Sequence, residues 1–129
     1  MKVVIDTNVL VSGLINPNGT PAKIINLLIN EKITILYDNR IIIEYEQVLL
    51  RKKFGFKEEI INPVLDFIRN DGIFIVPEPL QINFTDEDDK MFFEVAKTGN
   101  AEYLITGNTN HFPKEKLIIT PKIFLDKYI

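Results

Sequence analysis

The chain has 129 residues, no cysteine, and a formal net charge of −3 from 15 lysines and arginines against 18 aspartates and glutamates. This length predicts a single domain over residues 1–129, and the lack of cysteine excludes disulfides and zinc sites built on thiolates. The acidic balance argues against a broad phosphate-binding surface but leaves room for a local basic rim. No apolar run approaches the roughly 18 residues of a membrane span, and the N-terminus lacks a signal-peptide pattern, so we expect a cytoplasmic protein.

Short runs rich in Ile and Val alternate with longer segments of helical period. In chain order the predicted elements are a strand at Lys2–Ile5, a helix at Pro21–Ile29, a strand at Ile33–Leu36, helices at Ile41–Arg51 and Pro63–Asn70, a strand at Ile73–Val76, a helix at Asp86–Thr98, strands at Tyr103–Thr106 and Leu117–Ile119, and a helix at Pro121–Tyr128. Thr20-Pro21 and Asn62-Pro63 predict helix starts. Asn70-Asp71-Gly72 and Gly99-Asn100 predict helix ends.

This alternation of strands and helices predicts βαβ units and hence a parallel sheet with helices on both faces, an α/β fold. The first, fourth and fifth strands are almost continuously apolar, which is typical of strands covered on both faces. In such sheets ligands bind beyond the carboxyl ends of the strands. Asp6 follows the first strand directly, so it is expected at that end. The alternative interpretation is that Asp6 only caps a following helix.

A second acid, Glu44, lies on the apolar side of the predicted helix at Ile41–Arg51. Positions 41, 42, 45, 48 and 49 form the apolar stripe, and Glu46 falls about 200° from Glu44, on the solvent side. An acid on a buried face requires a partner or a metal. The alternative is an exposed glutamate at the edge of the stripe.

A third group of acids, Thr85-Asp86-Glu87-Asp88-Asp89, opens the predicted helix before the fourth strand. The helix dipole favours acids in a first turn, and this alone explains most of them. Asp89, however, lies three and seven residues before Phe92 and Ala96 on the inward side, and Asp86 lies one turn earlier on nearly the same face. Glu87 and Asp88 are expected to be solvated.

The loop after the fourth strand, Thr106-Gly107-Asn108-Thr109-Asn110-His111, is also expected at the carboxyl end of the sheet. Its polar groups either face the same pocket or form an ordinary turn. His111 either contacts a phosphate or is a structural or exposed histidine. The basic cluster Arg51-Lys52-Lys53, with Lys57 nearby, is either a local rim for phosphate or a solvated helix end.

Together, three segments place a carboxylate near one end of one sheet. Like charges repel unless a cation lies between them, and carboxylate oxygens suit Mg²⁺ or Mn²⁺. This chemistry favours phosphodiester hydrolysis by a metal-activated water. Competing motifs are missing from the sequence, which has no phosphate-binding or dinucleotide-binding glycine pattern, no G-x-S-x-G, and Asn8 where a dehalogenase-type phosphatase would need a second aspartate.

With these residues the chain resembles the PIN-domain ribonucleases, and within them the toxin components of toxin–antitoxin pairs (VapC-like). The resemblance rests on four segments that cover essentially the whole chain. They are Val4-Ile5-Asp6-Thr7-Asn8-Val9-Leu10, Glu44 with the helix that ends Leu49-Leu50-Arg51, Asp89 followed by Ala96, and Ala101-Glu102-Tyr103-Leu104-Ile105-Thr106-Gly107.

The resemblance implies a three-layer α/β/α fold with a mainly parallel sheet of about five strands, and a Mg²⁺- or Mn²⁺-dependent endoribonuclease. It makes Asp6, Glu44 and Asp89 the catalytic and metal-binding residues, with Asn108 or Asp86 as a further ligand. The predicted substrate-binding residues are Thr7, Asn8, Thr106, Asn108, Arg51 and Lys52. The implied partners are an RNA substrate, a small antitoxin that enters the active-site groove, and a second copy of the chain in a homodimer.

One position departs from the family, which often has an aspartate where this chain has Asn108. The departure implies weaker metal binding, one metal rather than two, or substitution by Asp86. Two other hypotheses stay open beside the nuclease. One is a catalytically weak PIN-like module that binds RNA or a partner without cutting it. The other is a small α/β receiver or nucleotide-binding domain in which Asp6 is only a cap.

Overall fold

The computed structural model describes residues 1–128, so residue 129 of the predicted domain lies outside the described residues. Its sheet has five parallel strands in the order β3-β2-β1-β4-β5. The strands are β1 (Lys2–Ile5), β2 (Thr34–Tyr37), β3 (Ile73–Phe74), β4 (Tyr103–Ile105) and β5 (Ile118–Ile119). The helices are α1 (Thr7–Ile15), α2 (Thr20–Ile29), α3 (Asn39–Leu49), α4 (Glu58–Asp71), α5 (Lys90–Thr98) and α6 (Pro121–Tyr128). The predicted three-layer α/β/α fold is confirmed.

The central strand β1 carries the site. Val3, Val4 and Ile5 are wholly buried, because helices cover both faces of the strand. From β1 the chain proceeds through β2 to β3 on one side, and then returns to place β4 on the other side of β1. The direction of strand order therefore reverses between β1 and β4. A crevice opens beyond the carboxyl ends of the strands at such a reversal, and it is the usual ligand site in sheets of this kind.

The sequence predicts all five strands, and the bounds of β1 and α6 are as predicted. It misses α1, however. Thr7–Ile15 contains three β-branched residues before Ser12 and a glycine, Gly13, after it, so its intrinsic helix propensity is low. Five of its nine residues are nevertheless buried. Packing of α1 against α2 and α3 stabilises a helix that its own sequence favours only weakly.

The predicted start of α4 at Asn62-Pro63 is wrong. The helix begins at Glu58 and continues through Pro63, which lies inside it. A proline at this point lacks an amide and loses one helical hydrogen bond. The helix tolerates the loss because Ile61, Leu65 and Ile68 bury their side chains in the core.

The strands β2 to β5 and the ends of α3 and α4 differ from their predicted bounds by one or two residues, and three helix starts also differ. The helix predicted at Asp86–Thr98 is divided into a 3-10 turn at Glu87–Asp89 and α5. Gly19, rather than Thr20, is the N-cap residue of α2. Asp38 caps α3 by accepting a hydrogen bond from the Ile41 amide at 2.9 Å, so this helix begins at Asn39 instead of residue 41. None of the helices in residues 1–128 is both long and apolar enough to cross a membrane.

Candidate active site

Asp6 is held at the reversal point by the sheet itself. Its amide donates to the Ile105 carbonyl at 2.9 Å, which extends the pairing of β1 with β4 by one residue. Asp6 is only 6% exposed, and its Oδ2 accepts a hydrogen bond from Thr106 Oγ1 at 2.7 Å. Although Asp6 precedes the first residue of α1, its side chain makes no capping hydrogen bond within the described chain. The capping interpretation therefore does not explain this acid.

Glu44 faces the end of β1 from α3. Thr7 Oγ1, in the first turn of α1, donates a hydrogen bond to Glu44 Oε2. The neighbouring Tyr45 is buried and donates its hydroxyl proton to the Ile5 carbonyl, which anchors α3 at the strand end. The Glu46 side chain, by contrast, is 46% exposed. The two glutamates thus lie on the sides of α3 that the sequence predicts.

Asp89 lies at the junction between the 3-10 turn and α5, with its side chain 18% exposed. Its Oδ2 is 3.3 Å from His111 Nδ1, so His111 contacts an acid of the site from an exposed position. Asp86 is used differently, because its carboxylate accepts a hydrogen bond from the Asp88 amide at 3.0 Å and caps the turn. Glu87 and Asp88 are exposed, as predicted.

The loop after β4 meets the start of α1. Thr106 is wholly buried. Its hydroxyl donates to Asp6 and accepts a hydrogen bond from the Asn108 amide at 3.0 Å. The Gly107 amide donates to Asn8 Oδ1 at 3.4 Å. The Asn108 residue itself is exposed, so its side-chain amide borders the site from the solvent side.

These segments enclose an open cleft of about 330 Å³. Its lining is made of Asp6, Thr7, Asn8, Val11, Ser12, Glu44, Val48, Arg51, Phe54, Asp89 and Asn108. The structure thus brings together the three predicted acids and four of the predicted substrate-binding residues. Thr106 supports Asp6 from below the surface, whereas Asp86 and Lys52 do not line the cleft. A second groove of about 650 Å³ shares Glu44, Val48 and Arg51 with it and continues between α3 and α5.

Burial and neighbouring negative charges disfavour the ionised forms of the acids in the cleft. Burial is the largest cause that raises the pKa of Asp6, from 3.8 to about 6. The Thr106 hydrogen bond opposes this rise, and the negative charges of Asp89 and Glu44 add to it. The surroundings of Asp6 in the described chain therefore do not compensate the negative charge of its ionised carboxylate.

Glu44 and Asp89 behave in the same way. Burial is the main cause that raises the pKa of each. The charge of Asp89 raises the pKa of Glu44 further, while Arg51 and the Thr7 hydroxyl lower it. For Asp89, the contact with His111 partly offsets the rise. Perturbed carboxyls that converge on an open cleft are a physical sign of a functional site.

The donor set fits a hydrated divalent cation. Among residues 1–128 no three Asp, Glu or His side chains lie close enough to enclose an ion directly. Mg²⁺, however, usually keeps several waters and uses one or two carboxylates of the protein, so a wide ring of acids suffices. The raised pKa values of the three acids show that a positive charge in the cleft would relieve an electrostatic cost.

Sequence reasoning missed a second acid that follows a strand. Asp38 comes directly after β2 and is 3% exposed, but its Oδ2 lies 2.8 Å from Arg40 Nε. Arg40 Nη1 also lies 2.9 Å from Glu94 Oε1 on α5. Burial raises the pKa of Glu94, yet the Leu80 amide and Arg40 together lower it below its usual value. Asp38 is therefore paired and structural. Asp6, at the end of the neighbouring strand β1, has no basic partner among the described residues.

Comparison with known proteins agrees with the fold. The family described as PIN domain matches residues 2–110. An uncharacterized protein of Methanocaldococcus jannaschii is 33% identical over 151 aligned positions, which cover 99% of this chain and 92% of the relative. No solved structure matches the chain significantly. PIN domains are in general nucleases and typically depend on Mg²⁺ or Mn²⁺. Since the family match covers most of the sequence, including Asp6, Glu44 and Asp89, the chain belongs to the PIN domain family.

Proposed function

We propose that this protein is a Mg²⁺- or Mn²⁺-dependent endoribonuclease that hydrolyses phosphodiester bonds in the cleft beyond β1 and β4. The observation that carries the proposal is the position of Asp6, Glu44 and Asp89. They come from three separate elements and line one open cleft with raised pKa values. An open groove at the surface accepts an internal segment of a polymer, as an endonuclease requires.

In this proposal Asp6, Glu44 and Asp89 would hold the metal ion together with its waters. When bound, such an ion stabilises charge on the phosphate and lowers the pKa of a coordinated water. The chain's own residues hold the acids in place for this task. Thr106 fixes the Asp6 carboxylate, Thr7 fixes that of Glu44, and His111 lies beside that of Asp89.

Positive and polar groups at the rim would position the substrate. The first turn of α1 begins at Thr7 and Asn8, and amides at a helix N-terminus favour phosphate oxygens. Arg51 also lines the cleft and lowers the pKa of Glu44 by its charge. Asn108 offers an exposed amide where the family often has an acid.

A cleavage assay tests the proposal. Purified protein is incubated with structured and unstructured RNAs, with Mn²⁺ or with EDTA. We expect cleavage only with metal, and a loss of about 100-fold or more in Asp6→Asn and Asp89→Asn, because each removes an anionic ligand from a small set. Asp126→Asn, on the exposed surface of α6, is the matched control and should cleave like the wild type. Undiminished metal-dependent cleavage in both site variants would refute the assigned roles.

A second candidate function is binding of RNA without cleavage. Two observations favour it. Asn108 brings no charge to the cleft, and in residues 1–128 no three acids enclose an ion directly. If the folded protein binds RNA but no RNA is cut with any divalent metal, this candidate replaces the first.

The resemblance to toxin components supports a more specific biological role. In that role the protein is a homodimeric toxin, and a small antitoxin inserts into the groove that contains Glu44 and Arg51. Expression of wild type and Asp6→Asn in cells is the test. We expect the wild type, but not Asp6→Asn, to arrest growth, and we expect co-expression of the adjacent gene to relieve that arrest. Light scattering of the purified protein reports whether it is a dimer.

A further inference from the structure

A short turn after α3 forms one wall of the cleft. Arg51 leads into a 3-10 turn at Lys52–Phe54, which ends at Gly55 in the left-handed conformation, with φ 67°. No described atom lies within 4 Å of the place where a side chain on Gly55 would begin. The glycine is therefore required by the backbone and not by crowding. This reversal places Phe54 and Phe56 side by side.

The two rings form a small aromatic platform. Their centroids are 5.8 Å apart and their planes are 23° from parallel, which is a stacked arrangement. Both are half-buried and pack against the hydrophobic core, so the platform is anchored. Phe54 also lines the cleft that contains the three acids. An aromatic ring that is fixed at the edge of a polar cleft has apolar surface to offer to a ligand.

Three cations directly precede this platform in the chain. Arg51, Lys52 and Lys53 are exposed, and Lys53 Nζ lies 5.1 Å from the centre of the Phe54 ring. An exposed lysine can move its ammonium group from the ring to a nearby phosphate. A chain with net charge −3 thus carries three consecutive cations next to an acidic cleft, of which Arg51 lines the cleft itself. A polyanionic ligand would otherwise be repelled there.

We propose that Phe54 stacks on a base of single-stranded RNA next to the bond that is cut, while Lys52 and Lys53 contact the flanking phosphates. The proposal rests on the proposed nuclease function, and it assigns the residues that hold the substrate beside the acids. Aromatic rings beside cations are the usual means of holding single strands. A base inside a duplex has no free face for such a ring, because its neighbours cover both faces.

The test measures binding without cleavage. Fluorescence anisotropy is recorded in EDTA at low salt, with a short unstructured RNA and with a duplex of the same sequence. Phe54→Leu keeps most of the packing volume but removes the stacking ring, and we expect it to weaken single-strand binding on the order of ten-fold. Phe54→Tyr keeps a ring and should bind like the wild type. Phe74→Ala, at an exposed aromatic on β3 outside the cleft, is the control and should also be unchanged.

The two lysines are tested by salt dependence. The variant in which Lys52 and Lys53 are both changed to Ala should show a shallower decrease in affinity with salt, because fewer phosphate contacts are made. Phe54→Leu should leave that slope unchanged. Melting temperatures within about 3 °C of the wild type show that the variants are folded.

Three results would overturn the inference. They are wild-type affinity in Phe54→Leu, an equal loss of affinity for duplex and single strand, and no binding of single-stranded RNA by the folded wild type. Different results test the nuclease proposal. A protein that binds single strands through Phe54 but never cleaves them contradicts the nuclease function and keeps the inference. Metal-dependent cleavage that is unaffected by Phe54→Leu contradicts the inference about Phe54 and keeps the nuclease function.

Discussion

The buried carboxyl of Asp6 should make the metal-free protein less stable at neutral pH. Its pKa is about 6 in the folded protein, against 3.8 for an ordinary aspartate. Between these values the folded state holds a proton that the unfolded state has lost, so stability falls as the pH rises through this window. Above pH 6 the whole loss of stability is present. At 1.36 kcal/mol per pKa unit, this loss amounts to about 3 kcal/mol in the free energy of unfolding.

Asp6→Asn removes this cost, because an amide has no charge to desolvate and its oxygen can still accept the Thr106 hydrogen bond. The new NH₂ group needs a partner in a buried position, which offsets part of the gain. We therefore expect a net gain of about 1–2 kcal/mol at pH 7.5, or about 4–8 °C in Tm for a chain of this length. At pH 5 the gain should be smaller, since the folded wild type is then largely protonated and the carboxyl costs less.

Thermal unfolding in EDTA at pH 7.5 and pH 5 measures both effects. Asp38→Asn is the matched control, because Asp38 is also buried at a strand end but is paired with Arg40 and caps α3. It should lower the Tm at both pH values. A lower Tm for Asp6→Asn at pH 7.5 would refute the reasoning and favour a stabilising role for the charge. An equal gain at both pH values would show that ionisation is not its cause.

Three further predictions concern other parts of the chain. Arg40→Ala removes the cation that pairs with the buried carboxylates of Asp38 and Glu94. Because Arg40 is half exposed, we expect a loss of about 1–2 kcal/mol in the free energy of unfolding, measured in urea, and no loss would contradict the pairing. Asn108→Asp adds a fourth carboxylate to the cleft and should both tighten Mn²⁺ binding in calorimetry and lower the metal-free Tm, whereas unchanged binding would place residue 108 outside the ion's surroundings. Gly55→Ala should cost about 1 kcal/mol in the same unfolding assay, because its left-handed backbone disfavours any side chain, and a neutral result would mean that the turn adapts.

The sequence by itself determined the sheet and the place of the candidate cleft. Continuous apolar runs predict buried parallel strands, and all five are present, with β1 at its predicted bounds. Once the strands are parallel, their carboxyl ends share one edge, so Asp6 and the loop at Thr106 must approach each other. The apolar stripe of α3 likewise predicts that Glu44 faces inward. These features follow from local periodicity, which a single sequence displays directly.

Only the tertiary structure decided which acids belong to the cleft and which are structural. Asp6 and Asp38 look alike in sequence, since each follows a buried strand, but Arg40 neutralises Asp38 and leaves Asp6 to the cleft. Asp86 and Asp89 share a face in an ideal helix, yet the 3-10 turn makes Asp86 a cap.

The same holds for elements whose stability comes from distant contacts. Helix α1 and the passage of α4 through Pro63 contradict local propensity, and packing against the core maintains them. In each case the deciding energy comes from residues that are distant in sequence. Burial, charge pairing and pKa depend on those neighbours, and a local pattern cannot specify them.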